Sequence, residues 1–130
     1  MAGKSPYDSV VRIPASLNGS FFKFWFEFLT PIHKLTEREI GVIACFLKYR
    51  YELSLVISDE DILDSVVMSD STRKKVRADC NMSLAHFQVI LSKLRKNKII
   101  VNDRINKRFI PQLSKDSKDY KLLLYFDLNA

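Results

Sequence analysis

Apolar residues recur along the chain with a spacing that changes from segment to segment, and each change marks an element. In TEREIGVIACFLKYRY, Ile40, Ile43, Ala44, Leu47 and Tyr51 fall at helical spacing. Val42, Cys45, Phe46 and Tyr49 make a second stripe beside them. A helix with two apolar stripes is packed on two sides, which predicts the central helix of the domain. Its start is a capping box, with Thr36 as cap and Glu39 reaching back from the third helical position. Ser58 ahead of Asp59, Glu60 and Asp61, followed by Ile62, Leu63, Val66 and Val67, predicts a second, short helix with its acids at the positive terminus. Ser71 is expected to start STRKKVRAD, with Val76 facing inward, and DCNM to be a turn. Ser83 caps a further helix to about Asn97, whose Phe87, Ile90, Leu91 and Leu94 face the core.

The period then shortens. Ile99 to Val101, an Asn102-Asp103 turn, and Arg104 to Ile110 predict a hairpin. Beyond the polar SKDSKD loop, YKLLLYFDL alternates with Tyr120, Leu122, Leu124 and Phe126 on one face and is expected to be a last strand. At the other end, residues 1–8 suggest an extended arm and SVVRIP a short edge strand ending at Pro14.

FFKFWFEFLTP fits neither period cleanly. As a helix, Lys23 and Glu27 share one narrow polar wedge and aromatic residues cover the rest. As a strand, Phe22, Phe24, Phe26 and Phe28 would share a face. The preceding Gly-Ser turn favours a short helix ended by Thr30-Pro31. Its apolar surface is either a lid over the core or an aromatic patch for a partner.

Helix-turn-helix followed by a hairpin makes a mainly α chain with a small β-sheet, a winged helix-turn-helix. The expected organisation is an arm over residues 1–20 and one domain over 21–130. Within it the helix-turn-helix covers about 71–97, the wing and last strand about 99–128. The 130 residues suffice for one such core.

Composition narrows the functions. A net charge of +6 favours acidic or polyanionic partners. Cys45 and Cys80 form no C-x-x-C pair, and with His33 and His86 alone no zinc spacing can be built; two reduced, buried thiols are expected. MAGKSPYDSVVRIP lacks a signal-peptide apolar region and FFKFWFEFL is about half a bilayer span, so a soluble, unsecreted protein without a membrane partner is expected. A glycine-rich phosphate loop, a nucleophile elbow, a metal triad and a Cys-His arrangement are all missing from the sequence, so neither an enzyme nor a cofactor is expected.

TRKKVRADCNMSLAHFQVILSKLRKNKII resembles the helix-turn-helix and wing entry of winged-helix proteins, in its T-R start, the serine cap and the L-x-K-L-R-K ending. More narrowly, LSKLRKNKIIVNDRINKRFIP with the upstream LTEREI is similar to small winged-helix proteins of crAss-like tailed bacteriophages. The resemblance implies either a regulator of duplex DNA or a virion component that reuses the fold for assembly. One departure is Asn97-Lys98, where winged-helix regulators commonly carry glycine; Asn97 is expected to adopt the left-handed stop.

The two roles ask different things of the last helix. Arg73, Lys74, Lys75, Arg77, Lys93, Arg95, Lys96 and Lys98, with Arg104, Lys107 and Arg108 on the hairpin, suit phosphates. The helix front holds Leu84, Ala85, Gln88, Val89 and Ser92, of which Gln88 is the one good base-edge reader. That front suits a protein better than a base sequence. The expectation is therefore a non-catalytic phage virion protein, in a head-to-tail ring or connector, contacting other virion proteins and copies of itself through Phe22, Trp25, Phe26, Leu84 and Val89. It would be made in the host cytoplasm. The alternative is a duplex-DNA regulator in the bacterial cytoplasm, using Arg73, Lys74, Arg77, Gln88, Lys93, Arg95, Arg104 and Arg108.

Overall fold

The structure is a computed structural model and describes residues 10–129. Six helices, α1 (Ser20–Phe28), α2 (Thr30–His33), α3 (Glu37–Ser54), α4 (Glu60–Val67), α5 (Asp70–Asp79) and α6 (Leu84–Lys96), precede strands β1 (Ile100–Val101) and β2 (Arg104–Ile105). A 3-10 turn at Lys107–Phe109 follows. The fold is mainly α with one small antiparallel sheet, as the hydrophobic pattern predicts.

The two stripes of α3 decide the architecture. Ile40, Val42, Ile43, Ala44, Phe46 and Leu47 are all buried, and α1, α4, α5 and α6 pack around this helix. Its N-terminus carries the expected capping box: Thr36 Oγ1 accepts from the Glu39 backbone and Glu39 Oε1 from the Thr36 backbone. Phe87, Ile90, Leu91 and Leu94 bury the inner face of α6, with the Phe87 ring stacked on Phe46.

The connection from α5 to α6 is set by local chemistry. Asn81 is left-handed (φ 51°), and two backbone bonds close the end of α5, Asn81 N–H to Ala78 O and Met82 N–H to Arg77 O. That is a Schellman stop, and Ser83 caps α6 two residues later by accepting from the His86 backbone. The exit from α6 repeats the device one position later than the sequence suggests. Asn97 is still near helical (φ −86°), and Lys98 takes the left-handed conformation (φ 64°). The reversal falls there because Lys98 and Ile99 donate to Arg95 O and Leu94 O, which drops Ile99 into the core beside Leu94. Asn102 and Asp103 then both have positive φ, the requirement of a two-residue type I′ hairpin turn.

Several expectations need correction. Asp59 caps α4 rather than Ser58, and Ser69 caps α5 rather than Ser71. The Ser69 cap leaves Asp70 inside the first turn, where the helix dipole favours it, and at α4 the Asp59 carboxylate itself accepts from the Ile62 backbone. Thr30-Pro31 opens α2 instead of closing α1, since proline is well placed in a first helical turn. Residues 10–14 form no strand; the arm expected over residues 1–8 lies outside the described residues. The last strand is missing as well: residues 120–128 pair with nothing among the described residues. The chain leaves the sheet after Ile105, where Asn106 Oδ1 accepts from the Arg108 backbone and starts the 3-10 turn, so β2 offers no long edge for a third strand. Among the described residues no helix is long and apolar enough to cross a membrane.

Candidate interaction surface

The aromatic helix resolves first. Phe22 and Phe26 are fully buried, and Trp25 nearly so, donating its indole N–H to Phe109 O at 2.9 Å. Phe26 also stacks on Phe109 and lies against His33. These three side chains, expected at a partner surface, are core: α1 turns them toward α3 and the end of the hairpin, and solvent reaches them too little for a contact. The lid, the other option the pattern left open, describes them.

His33 holds this corner together. Its Nε2–H donates to Phe26 O at 2.6 Å, and Nδ1 accepts from the Leu35 backbone at 2.9 Å. Burial pulls its pKa below the usual histidine value, outweighing the opposing effect of the Phe26 carbonyl. The ring is therefore neutral, with each nitrogen committed.

Leu84 and Val89 stand as expected on the outer face of α6, 56% and 54% exposed. Ala85, Gln88, Ser92, Lys93 and Lys96 share that exposed side. Gln88 and Ser92 make no side-chain hydrogen bond among the described residues, while His86 Nδ1 faces Arg38 Nη2 at 3.3 Å. The front is thus a mixed strip of small, apolar and amide side chains with basic residues toward its C-terminal end.

The basic residues divide into two sets. Arg73 pairs with Asp103 at 2.8 Å, which ties α5 to the hairpin turn, and Arg104 donates to the Asp103 carbonyl. Arg108 lies over the Phe109 ring. Lys107 is turned away from α6 into a cluster with Glu60 (2.5 Å), Asp64 (2.6 Å) and, through them, Arg50. Desolvation opposes its charge, yet the hydrogen bonds to Asp64 and Glu60 prevail and raise its pKa. Two of the three acids opening α4 are thereby accounted for: Asp59 caps and Glu60 pairs. The second set, Lys74, Lys75, Arg77, Lys93, Arg95, Lys96 and Lys98, forms no ion pair among the described residues.

Two features were not legible from the sequence. Residues 121–127 take no regular secondary structure and run into a turn at 128, all of them uncovered, with Leu123, Tyr125, Phe126 and Leu128 exposed by 77, 84, 76 and 90%. Their alternation announced a strand face, and a missing partner strand was the one thing it could not announce. The other is the approach of Cys45 on α3 to Cys80 at the end of α5, where Cys45 Sγ reaches Asp79 Oδ2 and Cys80 Sγ reaches the Gly41 carbonyl. The place of Cys45 on the second stripe of α3 was the available signal. No family model matches the chain, and no curated protein and no solved structure matches it.

Proposed function

We propose that the chain is a non-catalytic assembly protein, a phage virion component whose winged helix is used for protein–protein contact rather than for base reading. One observation carries the reading: the uncovered apolar segment 121–128. Its four most exposed large side chains present on the order of 500 Å² of apolar surface, at the upper end of what soluble monomers leave in one patch. Covering it is worth about 12 kcal/mol gross, of the same order as the ~4–15 kcal/mol that association costs. Leu84 and Val89 on α6 add a second, smaller contact. The virion assignment itself comes from the likeness of LSKLRKNKIIVNDRINKRFIP to the phage group, and the wing from the α5–turn–α6–hairpin order.

The test has two arms. Mass spectrometry of purified particles should find the chain at a fixed stoichiometry; its absence refutes the virion role. Replacing Leu123, Tyr125 and Phe126 together by serine should abolish incorporation or self-association while leaving the thermal melt within a few degrees of wild type. Unaltered assembly in that variant refutes the segment as the contact.

A second reading, a duplex-DNA regulator, is favoured by the seven basic residues of α5, α6 and Lys98 that lack acidic partners. It is disfavoured by the α6 front, where Gln88 is the one good donor–acceptor among apolar neighbours, and by the commitment of Arg73 and Arg104 to Asp103. A gel shift that survives ~0.2 M salt and prefers one sequence would reverse the order of the two readings.

A further inference from the structure

Cys45 and Cys80 lie 35 positions apart and belong to different helices, yet each sulfur sits on the other's doorstep. Cys80 Sγ is 4.0 Å from the carbonyl of Gly41, one turn before Cys45 on α3. Cys45 Sγ is 3.8 Å from Oδ2 of Asp79, the residue before Cys80. These reciprocal contacts set each thiol against the residues that flank the other, and both cysteines keep partial access to solvent. The surroundings treat the two sulfurs differently. The proximity of the two thiols pulls the Cys80 pKa below the ordinary thiol value and pushes that of Cys45 above it, and burial and the Asp79 carboxylate raise Cys45 further. Asp79 is in turn held by Tyr49 Oη and by Lys48 at 4.0 Å.

We propose that Cys45 and Cys80 form a reversible intramolecular disulfide with a low-molecular-weight disulfide such as oxidised glutathione as oxidant. The Cys80 thiolate attacks one sulfur of the oxidant, forming a mixed disulfide and expelling one glutathione thiolate. Cys45 then passes its proton to solvent by way of the adjacent Asp79 carboxylate, and its sulfur displaces the second glutathione thiolate. The thiolates take up protons, so two protein thiols and one glutathione disulfide give one protein disulfide and two glutathione thiols. The bond would link the middle of α3 to the turn that leads into α6, fixing the base of the helix whose front is exposed. The inference is independent of the assembly reading, since it rests on α3 and α5 alone.

Intact-mass spectrometry of the full chain tests it. The protein is incubated in mixtures of oxidised and reduced glutathione, quenched with an alkylating agent and digested. Wild type should lose two hydrogens, resist alkylation and yield a Cys45–Cys80 linked peptide that dithiothreitol reverses. Cys45→Ser should stop at a glutathione adduct on Cys80, formed several-fold faster than the adduct on Cys45 in Cys80→Ser. Accumulation of a doubly glutathionylated chain or a disulfide-linked dimer in wild type overturns the proposal. So does equal reactivity of the two single variants. The wild-type arm needs no substitution to fold.

Discussion

Replacing Trp25 by phenylalanine separates a core aromatic helix from a binding patch. Trp25 is 9% exposed, and its indole N–H donates to the carbonyl of Phe109, itself 5% exposed. The substitution removes the donor and strands that carbonyl among apolar neighbours, a loss of about 1–3 kcal/mol. It also leaves a void of roughly 40 Å³ beside Tyr120 and Phe22, adding about 1 kcal/mol at the usual cavity coefficient. Together these destabilise by about 2–4 kcal/mol, which lowers the melting temperature by ~8–15 °C for a domain of this size. The comparison variant carries Leu84→Ser and Val89→Ser. Both positions are more than half exposed, so its stability should stay within about 0.5 kcal/mol of wild type. Urea titrations followed by far-UV circular dichroism suit both, because Trp25 is the single tryptophan and its loss removes the fluorescent probe. An unfolding midpoint in Trp25→Phe equal to wild type, or a larger loss in the α6 pair than in Trp25→Phe, would refute the core assignment.

Other consequences concern the interior. Asp64→Asn removes the carboxylate that receives Arg50 at 3.1 Å and Lys107 at 2.6 Å; urea melts should show a loss of about 2–3 kcal/mol. That is less than for a fully buried pair, because Glu60 remains and Lys107 is half-exposed. His33, whose folded pKa lies below the ordinary ~6.5, is neutral when folded while the unfolded chain binds a proton more readily. Its contribution is therefore complete above ~6.5 and is lost as pH falls from there toward the lowered value; denaturant midpoints at ~7.5 and ~5 should differ by more in wild type than in His33→Gln. Gly41 sits inside α3, past its first turn, with open space where an alanine methyl would stand, so Gly41→Ala should raise stability by about 0.5–1 kcal/mol in the same melts. A loss would show that α3 is packed more tightly there than its geometry indicates.

Legibility followed the range of the interaction. The Thr36–Glu39 box, the Ser83 cap and the Asn102-Asp103 turn are decided within a few residues, and the sequence pattern finds all three. The pattern placed the other two caps at Ser58 and Ser71, whereas the structure has them at the nearby Asp59 and Ser69, a choice among adjacent cap-forming residues that the pattern does not resolve. Long-range partners are another matter. The fate of α1 depends on Phe109 and Tyr120, about ninety positions away, which accept the Trp25 N–H and cover the Phe21 and Trp25 ring edges. An aromatic run alone does not state whether such partners exist. Alternation likewise gave residues 120–128 a face but no neighbour, and the two cysteines lacked any local motif to announce their meeting.

The same distinction shifts the weight of the candidate surface. Single exposed apolar residues such as Leu84 and Val89, set among Ala85, Gln88 and Ser92, are ordinary on a soluble protein and by themselves ask for no partner. The aromatic helix asked for one from the sequence, and its need is met inside the chain by α3 and Phe109. Under the assembly reading, that burial moves the expected contact from α1 to the segment after Tyr120. Tyr120 is the last side chain of the segment to reach the core, against Phe21 and Trp25. Beyond it the large apolar residues of 122–126 and Leu128 lose their support together. Because the backbone there is in no helix or strand among the described residues, its hydrogen-bonding groups are on offer as well as its side chains, and under the assembly reading the two together would add a strand to another chain's sheet edge. A contact of that kind fixes register through alternate side chains, so Leu123→Ser and Leu124→Ser should weaken assembly unequally, the larger loss marking the face turned toward the partner.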